Sequence, residues 1–401
     1  MTKAFRYRLY PTRKQEKILL QTLTTCKFLY NHALEERINK YKNTQENVSY
    51  VDQANALSEH KNDYQKQVHS QVLQDTLKRL DSSFKNFFRR CKEKKAGKKI
   101  KAGFPRFKPA RRYNSFCYPQ SGFKLSNDNS RIHLSKIGDI KLIYSRPVEG
   151  RIKTCRVIRD IDQWFVVLTC ETEDKQFTPN GKPTVGIDVG IKTLAVLSDG
   201  TEIANPRHLL KSENKLHKYQ RRLSRRVKGS NNRNAQRIEV AIVYRKIRRQ
   251  NDDFLHKLSR MLVDNYGLII FEDLNIRGMV KNHKLAKHIS DASWSTLIQM
   301  TTYKAASAGS EVRLVNPRNT TQNCSGCGKI VPKTLADRIH SCPHCGLVLD
   351  RDLNAAINIR TAGTAGRYAY KSETEVSPKR SVRRRDLTSG SMHVGTVKLG
   401  R

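Results

Sequence analysis

The chain of 401 residues is poor in acid. Its 36 Asp and Glu face 77 Lys and Arg, giving a formal net charge of +41. Such an imbalance argues against an ordinary solvated surface, because like charges repel one another unless a polyanion neutralises them. The sequence also lacks an apolar stretch near the ~18 residues of a membrane span. An anionic membrane is therefore the weaker partner and nucleic acid the leading one. The basic residues run along most of the chain, which suits a long polyanion. The opening residues, Met1-Thr2-Lys3-Ala4-Phe5-Arg6-Tyr7-Arg8, hold no apolar signal-peptide core, and a cytoplasmic location is expected. Of nine cysteines, five (Cys26, Cys91, Cys117, Cys155, Cys170) are scattered and four form two close pairs. A reducing compartment with one metal knuckle pair explains this better than a disulfide framework.

What is present centres on Val185-Gly186-Ile187-Asp188-Val189-Gly190, an apolar run that carries one carboxylate. Ile191–Leu197 and Ser198-Asp199-Gly200-Thr201 follow, and Asp-Gly between apolar runs signals a hairpin. A carboxylate inside an apolar strand is costly without compensation, which a divalent metal would supply; the plain alternative is a surface Asp at a strand end. Leu268-Ile269-Ile270-Phe271-Glu272 is a second apolar run ending on an acid. Asp350-Arg351-Asp352-Leu353-Asn354-Ala355-Ala356 places two more at a helix start. Carboxylates from two strand ends and a helix start suit two metals roughly 3.5–4 Å apart on a phosphodiester. Oxygen donors favour Mg²⁺ or Mn²⁺. The order of strands and helices matches an RNase H-like sheet.

Upstream, residues 2–10 alternate Phe5, Tyr7 and Leu9 with Arg6 and Arg8, a strand pattern ended by Pro11. Thr12 and Gln15 have capping-box spacing before a helical pattern through Ile18, Leu19, Leu23, Phe28, Leu29 and Leu34. A second helical region is expected from about Gln53 to Lys92. The basic stretch 91–108 interleaves Phe104 and Phe107 with Arg106, and Tyr113 follows. This suits a sugar-phosphate backbone with stacked bases; the plain alternative is a solvated linker. Strands are expected at 115–118, 131–134, 140–144, 152–158 and 164–172, forming a small barrel completed by the strand at 2–10. Residues 171–183 read as a linker. A helical hairpin is expected over 208–264, broken at Lys228–Asn232. Its arms carry Arg221, Arg222, Arg225 and Arg226, then Arg245, Lys246, Arg248 and Arg249. A loop at 275–289, a helix near 293–308 and a strand at 311–315 complete the series.

Cys324-Ser325-Gly326-Cys327-Gly328 and Cys342-Pro343-His344-Cys345-Gly346 are near-duplicates. Two such turns facing each other make a tetrahedral Cys₄ zinc site. The spacing between the pairs is slightly under the usual range. A redox pair or a disulfide would not need a duplicate. His340 and His344 are expected to be bystanders. Four thiolates leave no open position, so this zinc would be structural.

Taken together, the Gly-Ile-Asp-Val-Gly, Phe-Glu-Asp-Leu, paired Cys-x-x-Cys-Gly and Asp-Arg-Asp-Leu-Asn-Ala-Ala motifs resemble the TnpB proteins of bacterial insertion sequences, relatives of the type V CRISPR nucleases. Gly-Phe-Pro-Arg-Phe-Lys at 103–108 and Asn319-Thr320-Thr321-Gln322-Asn323 add to the likeness, which covers about residues 1–360. The resemblance implies a multidomain α+β protein. A β-barrel wedge domain (1–12 and 103–180) would contain an inserted helical recognition domain (13–102). An RNase H-like (RuvC) nuclease domain (181–319 and 347–362) would hold an inserted zinc ribbon (320–346). The composition of the remaining tail (363–401), basic and with several glycines, predicts disorder there. The resemblance also implies a guide RNA, a double-stranded DNA target read beside a short motif, two Mg²⁺ (or Mn²⁺) ions and one Zn²⁺. By motif match Asp188, Glu272 and Asp352 are the catalytic metal ligands, with Asp350 a poorer third ligand and Asp273 pointing away. Cys324, Cys327, Cys342 and Cys345 hold the zinc. A monomer with one RNA, near the bacterial nucleoid and off the membrane, is expected. The competing readings are a guided regulator that does not cut, a DNA transposase, and a zinc-ribbon RNA-binding protein, for which the strand-end acids would be unexplained.

Overall fold

The structure is a computed structural model that describes residues 2–173, 180–334 and 337–365. They form two units, one ending at 173 and one beginning at 180.

The first unit opens with β1 (Thr2–Tyr10), followed by α1 (Arg13–Thr44), α2 (Tyr50–Glu59), α3 (Asp63–Lys66) and α4 (Ser70–Lys95). Thr12 and Gln15 make the capping box at the start of α1, Thr12 Oγ1 accepting from Gln15 N at 3.3 Å and Gln15 Oε1 from Thr12 N at 3.0 Å. The helical region expected over about 53–92 consists of three helices. Ser49 with Asp52 and Asn62 with Gln65 each form a fresh capping box, so side chains there satisfy the backbone N–H groups that a continuous helix would use. Leu19, Leu23, Leu34, Leu73, Leu77 and Leu80 are buried. Phe28, expected with them, is 62% exposed. It lies off the buried stripe, and Lys27 Nζ sits 3.6 Å from its ring centroid.

Six strands follow: β2 (Ser115–Tyr118), β3 (Phe123–Leu125), β4 (Arg131–Leu134), β5 (Gly138–Ile143), β6 (Arg151–Asp160) and β7 (Gln163–Glu171). The sheet runs β2-β6-β7-β1-β5-β4-β3, and every pairing is antiparallel. β1 therefore lies in the middle of the sheet rather than closing it. The two edges, β2 and β3, are joined only by residues 119–122. Laid flat, seven strands would separate those edges by roughly 29 Å, yet the connection spans at most about 17 Å. The sheet must curl, and the Tyr118 and Phe123 rings meet edge-on at 6.5 Å. The result is a barrel-like roll whose hydrogen-bonded order remains open. β3 escaped the sequence reading because three residues show too little alternation.

The second unit begins with β8 (Thr184–Val189), β9 (Thr193–Leu197) and β10 (Glu202–Ala204), then α5 (His208–Ser224) and α6 (Asn231–Asn265). Next come β11 (Leu268–Glu272), α7 (Ile276–Met279), α8 (Ala286–Ala292), α9 (Trp294–Ala308), β12 (Glu311–Val315), β13 (Ile339–Ser341), β14 (Val348–Asp350) and α10 (Arg351–Thr364). α7 and α8 replace part of the expected loop. The main sheet runs β10-β9-β8-β11-β12, with β8, β11 and β12 parallel. Val185, Ile187, Ile269 and Phe271 face Leu255, Leu258, Leu262 and Leu297 of α6 and α9. Ile270 and Val315 pack with Ile359 of α10 on the other face. The hairpin of α5 and α6 closes on Leu216, Val240, Val243 and Ile247. Arg221, Arg222, Arg225 and Arg226 are exposed, but Arg245 is buried and engaged within the protein.

The tail expected from 363 starts too early, since α10 continues through Thr364 and buries Gly363. The rest of that tail, and part of the linker at 171–183, lie outside the described residues. No helix among the described residues is long and apolar enough to cross a membrane.

Candidate functional site

Two glycine-mediated contacts place the acids. A Cβ on Gly186 would come within 2.2 Å of Ala356 O and 2.4 Å of Arg360 N, so β8 and α10 touch backbone to backbone. A Cβ on Gly363 would meet Ile270 Cδ1 at 2.5 Å, so α10 also packs on β11, with the Ile270 side chain between them. Side chains alternate along a strand. Asp188 therefore shares the α10-facing side with Gly186, and Glu272 shares it with Ile270. Phe271 pairs in parallel register with Ile187, so the next residues, Glu272 and Asp188, end adjacent strands about 4.8 Å apart. Asp188 is about 6.6 Å along β8 from Gly186. Asp352 lies one turn, about 6 Å, before Ala356 on α10. Both acids thus come off the same contact.

The electrostatics report the gathering. The Asp188 carboxyl is pushed up to about 7, first by burial, then by the negative charges of Glu272 and Asp352; Arg351 and the Val189 N–H act in the opposite direction. Burial also raises Glu272, which is 7% exposed, against the hydroxyl of Thr320 that donates to it. Like charges crowded out of water need a counter-charge. A set of carboxylate oxygens suits a hard divalent cation such as Mg²⁺ or Mn²⁺.

Asp350 and Asp352 differ in their hydrogen bonding at the start of α10. Asp350 is the N-cap of α10, its Oδ1 accepting from Asp352 N at 2.8 Å and Leu353 N at 3.2 Å. Asp273 is exposed, outside the buried pair of strand ends.

The cysteines are gathered more tightly. Their four sulfurs lie within 4.8 Å of one another, the only such grouping of candidate metal ligands among the described residues. Cys324 and Cys345 Sγ are 3.5 Å apart and Cys327 and Cys342 Sγ 3.7 Å apart. A tetrahedron with bonds near 2.3 Å has edges of about 3.8 Å, so the set fits zinc. A disulfide would need about 2.05 Å. Each turn closes on a left-handed glycine, Gly328 at φ 75° and Gly346 at φ 72°. The amides donate back, Gly328 N to Cys324 O at 2.8 Å and Gly346 N to Cys342 O at 3.0 Å. Burial opposes ionisation of Cys342, yet the backbone N–H groups of His344 and Cys345 bring its thiol down to about 6. His340 is fully buried and faces Lys333, while His344 is exposed. Neither joins the sulfur cluster.

Thr320, Arg351, Asn354 and Asn358 escaped the sequence reading. Arg351 Nη1 donates to Thr334 O at 3.3 Å and Asp337 O at 3.1 Å. The available signal was Asn354 and Asn358, four residues apart on the helix face that also carries the buried Ala355 and Ile359.

Comparisons with known proteins fit this arrangement. Residues 167–283 match the OrfB family of IS605, described as "Probable transposase". Residues 294–359 match "Cas12f1-like, TNB domain". Residues 1–46 match an associated "Helix-turn-helix domain", although the described part of that stretch is one strand and one long helix. A "Putative RNA-guided DNA endonuclease" of Streptomyces pristinaespiralis is 38% identical over 376 residues, covering 90% of both chains. The "Putative RNA-guided DNA endonuclease InsQ" of Escherichia coli (strain K12) is 32% identical over 382 residues, covering 90% of this chain and 92% of its own. A "CRISPR-associated endodeoxyribonuclease Cas12f1" of Sulfoacidibacillus thermotolerans is 26% identical over 55% of this chain and 56% of its own. The fold and its two clusters define a mixed α/β protein with a four-cysteine module whose first turn is hydrogen-bonded to α10. The chain belongs to the TnpB family.

Proposed function

We propose that this protein is an RNA-guided DNA endonuclease of an insertion sequence. It holds a guide RNA derived from the transposon end and hydrolyses both strands of a matched DNA target next to a short motif. Family membership supports the activity. The convergence of Asp188, Glu272 and Asp352 on the α10 face is the observation that carries the mechanism. The strand order, three antiparallel strands followed by two added in parallel, supports the RNase H-like (RuvC) reading.

Asp188, Glu272 and Asp352 hold the cations. Divalent cations, when bound there, activate water and stabilise the leaving oxygen of a phosphodiester. Asp188, which feels the charges of both Glu272 and Asp352, would bind a cation through its carboxylate and must give up its proton before it can do so. Asp350 keeps the start of α10 in register, and Arg351 offsets the negative charge around Asp188. The cysteine module holds one structural zinc. Base pairing with the guide reads the target sequence, so the protein has to grip shape and phosphates. The exposed arginines of α5 and the basic stretch 91–108 suit that task. Phe104, 46% exposed, packs edge-on against Phe84 and Phe87 of α4, and Phe107 is 52% exposed. The proposed domain limits follow the expected ones, with the nuclease part extended through Thr364. The complex is one protomer with one RNA, acting in the bacterial cytoplasm at the nucleoid.

The test is to express the protein with its native flanking DNA, sequence the RNA that co-purifies, and present a matched target with randomised flanks and Mg²⁺. RNA-dependent double-strand cuts beside a common short motif are expected. A discrete RNA with target binding but no cuts would instead mark a guided regulator, and no specific RNA would favour a transposase.

A further inference from the structure

Between β12 and the first cysteine turn, the chain passes beneath the nuclease site. Thr320, 7% exposed, donates from Oγ1 to Glu272 Oε1. Pro317 O is a second acceptor for that hydroxyl at 3.2 Å. A hydroxyl has one hydrogen, and the charged carboxylate is the stronger acceptor.

Thr320 is itself held. Asn358 Nδ2 donates to Thr320 O at 2.9 Å and to Asn323 O at 2.7 Å. Asn354, fully buried, donates from Nδ2 to Asn323 O at 2.8 Å and accepts from Ser325 N at 2.9 Å. Two asparagines one turn apart on α10 thus clamp 320–325, the lead into Cys324. The same helix carries Asp352 at its first turn. A buried amide is costly unless it is satisfied, so this clamp has essentially one geometry. The hydroxyl thus occupies one acceptor site of Oε1 and fixes how the Glu272 carboxylate is turned.

We propose that Thr320 is a positioning residue for the nuclease site: its hydroxyl sets the orientation of the Glu272 carboxylate, and the Asn354–Asn358 clamp makes that orientation depend on the folded cysteine module. The inference rests on reading Glu272 as a cation ligand. Conventional ligand motifs would not point to Thr320, since it neither binds the cation nor belongs to a cysteine turn.

The test uses the full-length protein with its guide RNA and compares Thr320→Ser, Thr320→Val, Asn358→Leu and Glu272→Gln. Target binding, the Mg²⁺ concentration at half-maximal cleavage and the melting transition are measured for each. Partners of metal ligands typically change metal affinity by about 10–100-fold. Thr320→Val should therefore raise the Mg²⁺ requirement at least about tenfold with target binding unchanged. Thr320→Ser, which keeps the hydroxyl, should stay near wild type. A packing role for the methyl group would reverse that order and overturn the proposal, as would a wild-type Mg²⁺ requirement in Thr320→Val. If Thr320→Val lacks one cooperative melt, Asn358→Leu decides, with the same rise expected and a wild-type requirement overturning the proposal. Inactive Glu272→Gln beside wild-type Thr320→Val would sink this proposal alone. Wild-type cutting by Glu272→Gln would sink the reading of the site as well.

Discussion

The two candidate metal centres of the second unit are built in opposite ways. The cysteines come from one stretch bounded by Cys324 and Cys345, and their sulfurs already stand at tetrahedral spacing. Local backbone makes that possible, because each turn closes on a left-handed glycine whose amide donates back to the first cysteine. The carboxylates come from β8, β11 and α10, and long-range packing through Gly186 and Gly363 brings them together. Their oxygens are not drawn into one tight cluster as the sulfurs are. Instead burial, and then the negative charges of Glu272 and Asp352, raise Asp188. A structural site is thus formed locally by a short stretch of chain, whereas the proposed catalytic site crowds buried acids together, a cost that a proton on Asp188 or a bound cation relieves.

The largest expected break is chemical. Asp188→Ala should lower guided cleavage by at least about 10³-fold, the scale seen when one member of a catalytic unit is lost. Guide RNA should still co-purify. Next is the packing that gathers the acids. Gly186→Ala forces a methyl group into the α10 backbone and should cost about 3 kcal/mol or more in denaturant unfolding. Gly363→Ala meets only the flexible Ile270 side chain and should cost less.

Asp188 gives a pH test of comparable size in cation-free protein. Its folded value of about 7 lies above the ordinary 3.8, so the folded state binds the proton more tightly than the unfolded chain. Its stabilising contribution is complete below about pH 4 and is lost as pH rises through 7. Unfolding free energy should fall over that window by on the order of 4 kcal/mol at most. Asp188→Asn should flatten the trend, and Mg²⁺ should oppose it. Cys342→Ser sharpens the contrast from the other side. Elemental analysis should find the zinc lost, and proteolysis should open 320–350 before the main sheet. The smallest effect belongs to Asp350→Ala, about 1 kcal/mol from the lost helix cap, with most cleavage retained.

Much of this was legible in the sequence because it is local. The Thr12–Gln15 capping box, the strand runs around Asp188 and Glu272, the break between α5 and α6, and the paired cysteine turns all depend on neighbours in the chain. The breaks that divide the second helical region into three were not, because Asn62 and Gln65 look like ordinary polar positions in a helical pattern. The central place of β1 was not, because strand order is fixed by long-range pairing. The separate tasks of Asp350 and Asp352 rest on which carboxylate turns back to cap the helix. The task of Thr320 stayed hidden for the same reason, since a threonine in the Asn319–Asn323 stretch gives no sign that Glu272 lies against it.

The most direct test of the central claim is a Mn²⁺ titration of the complex with guide and target, followed by electron paramagnetic resonance. Wild-type protein should bind two coupled ions, and Asp188→Asn should lose them while keeping its zinc. An unchanged Mn²⁺ count in Asp188→Asn would contradict the account, because Asp188, Glu272 and Asp352 would then not be the ligands of one site.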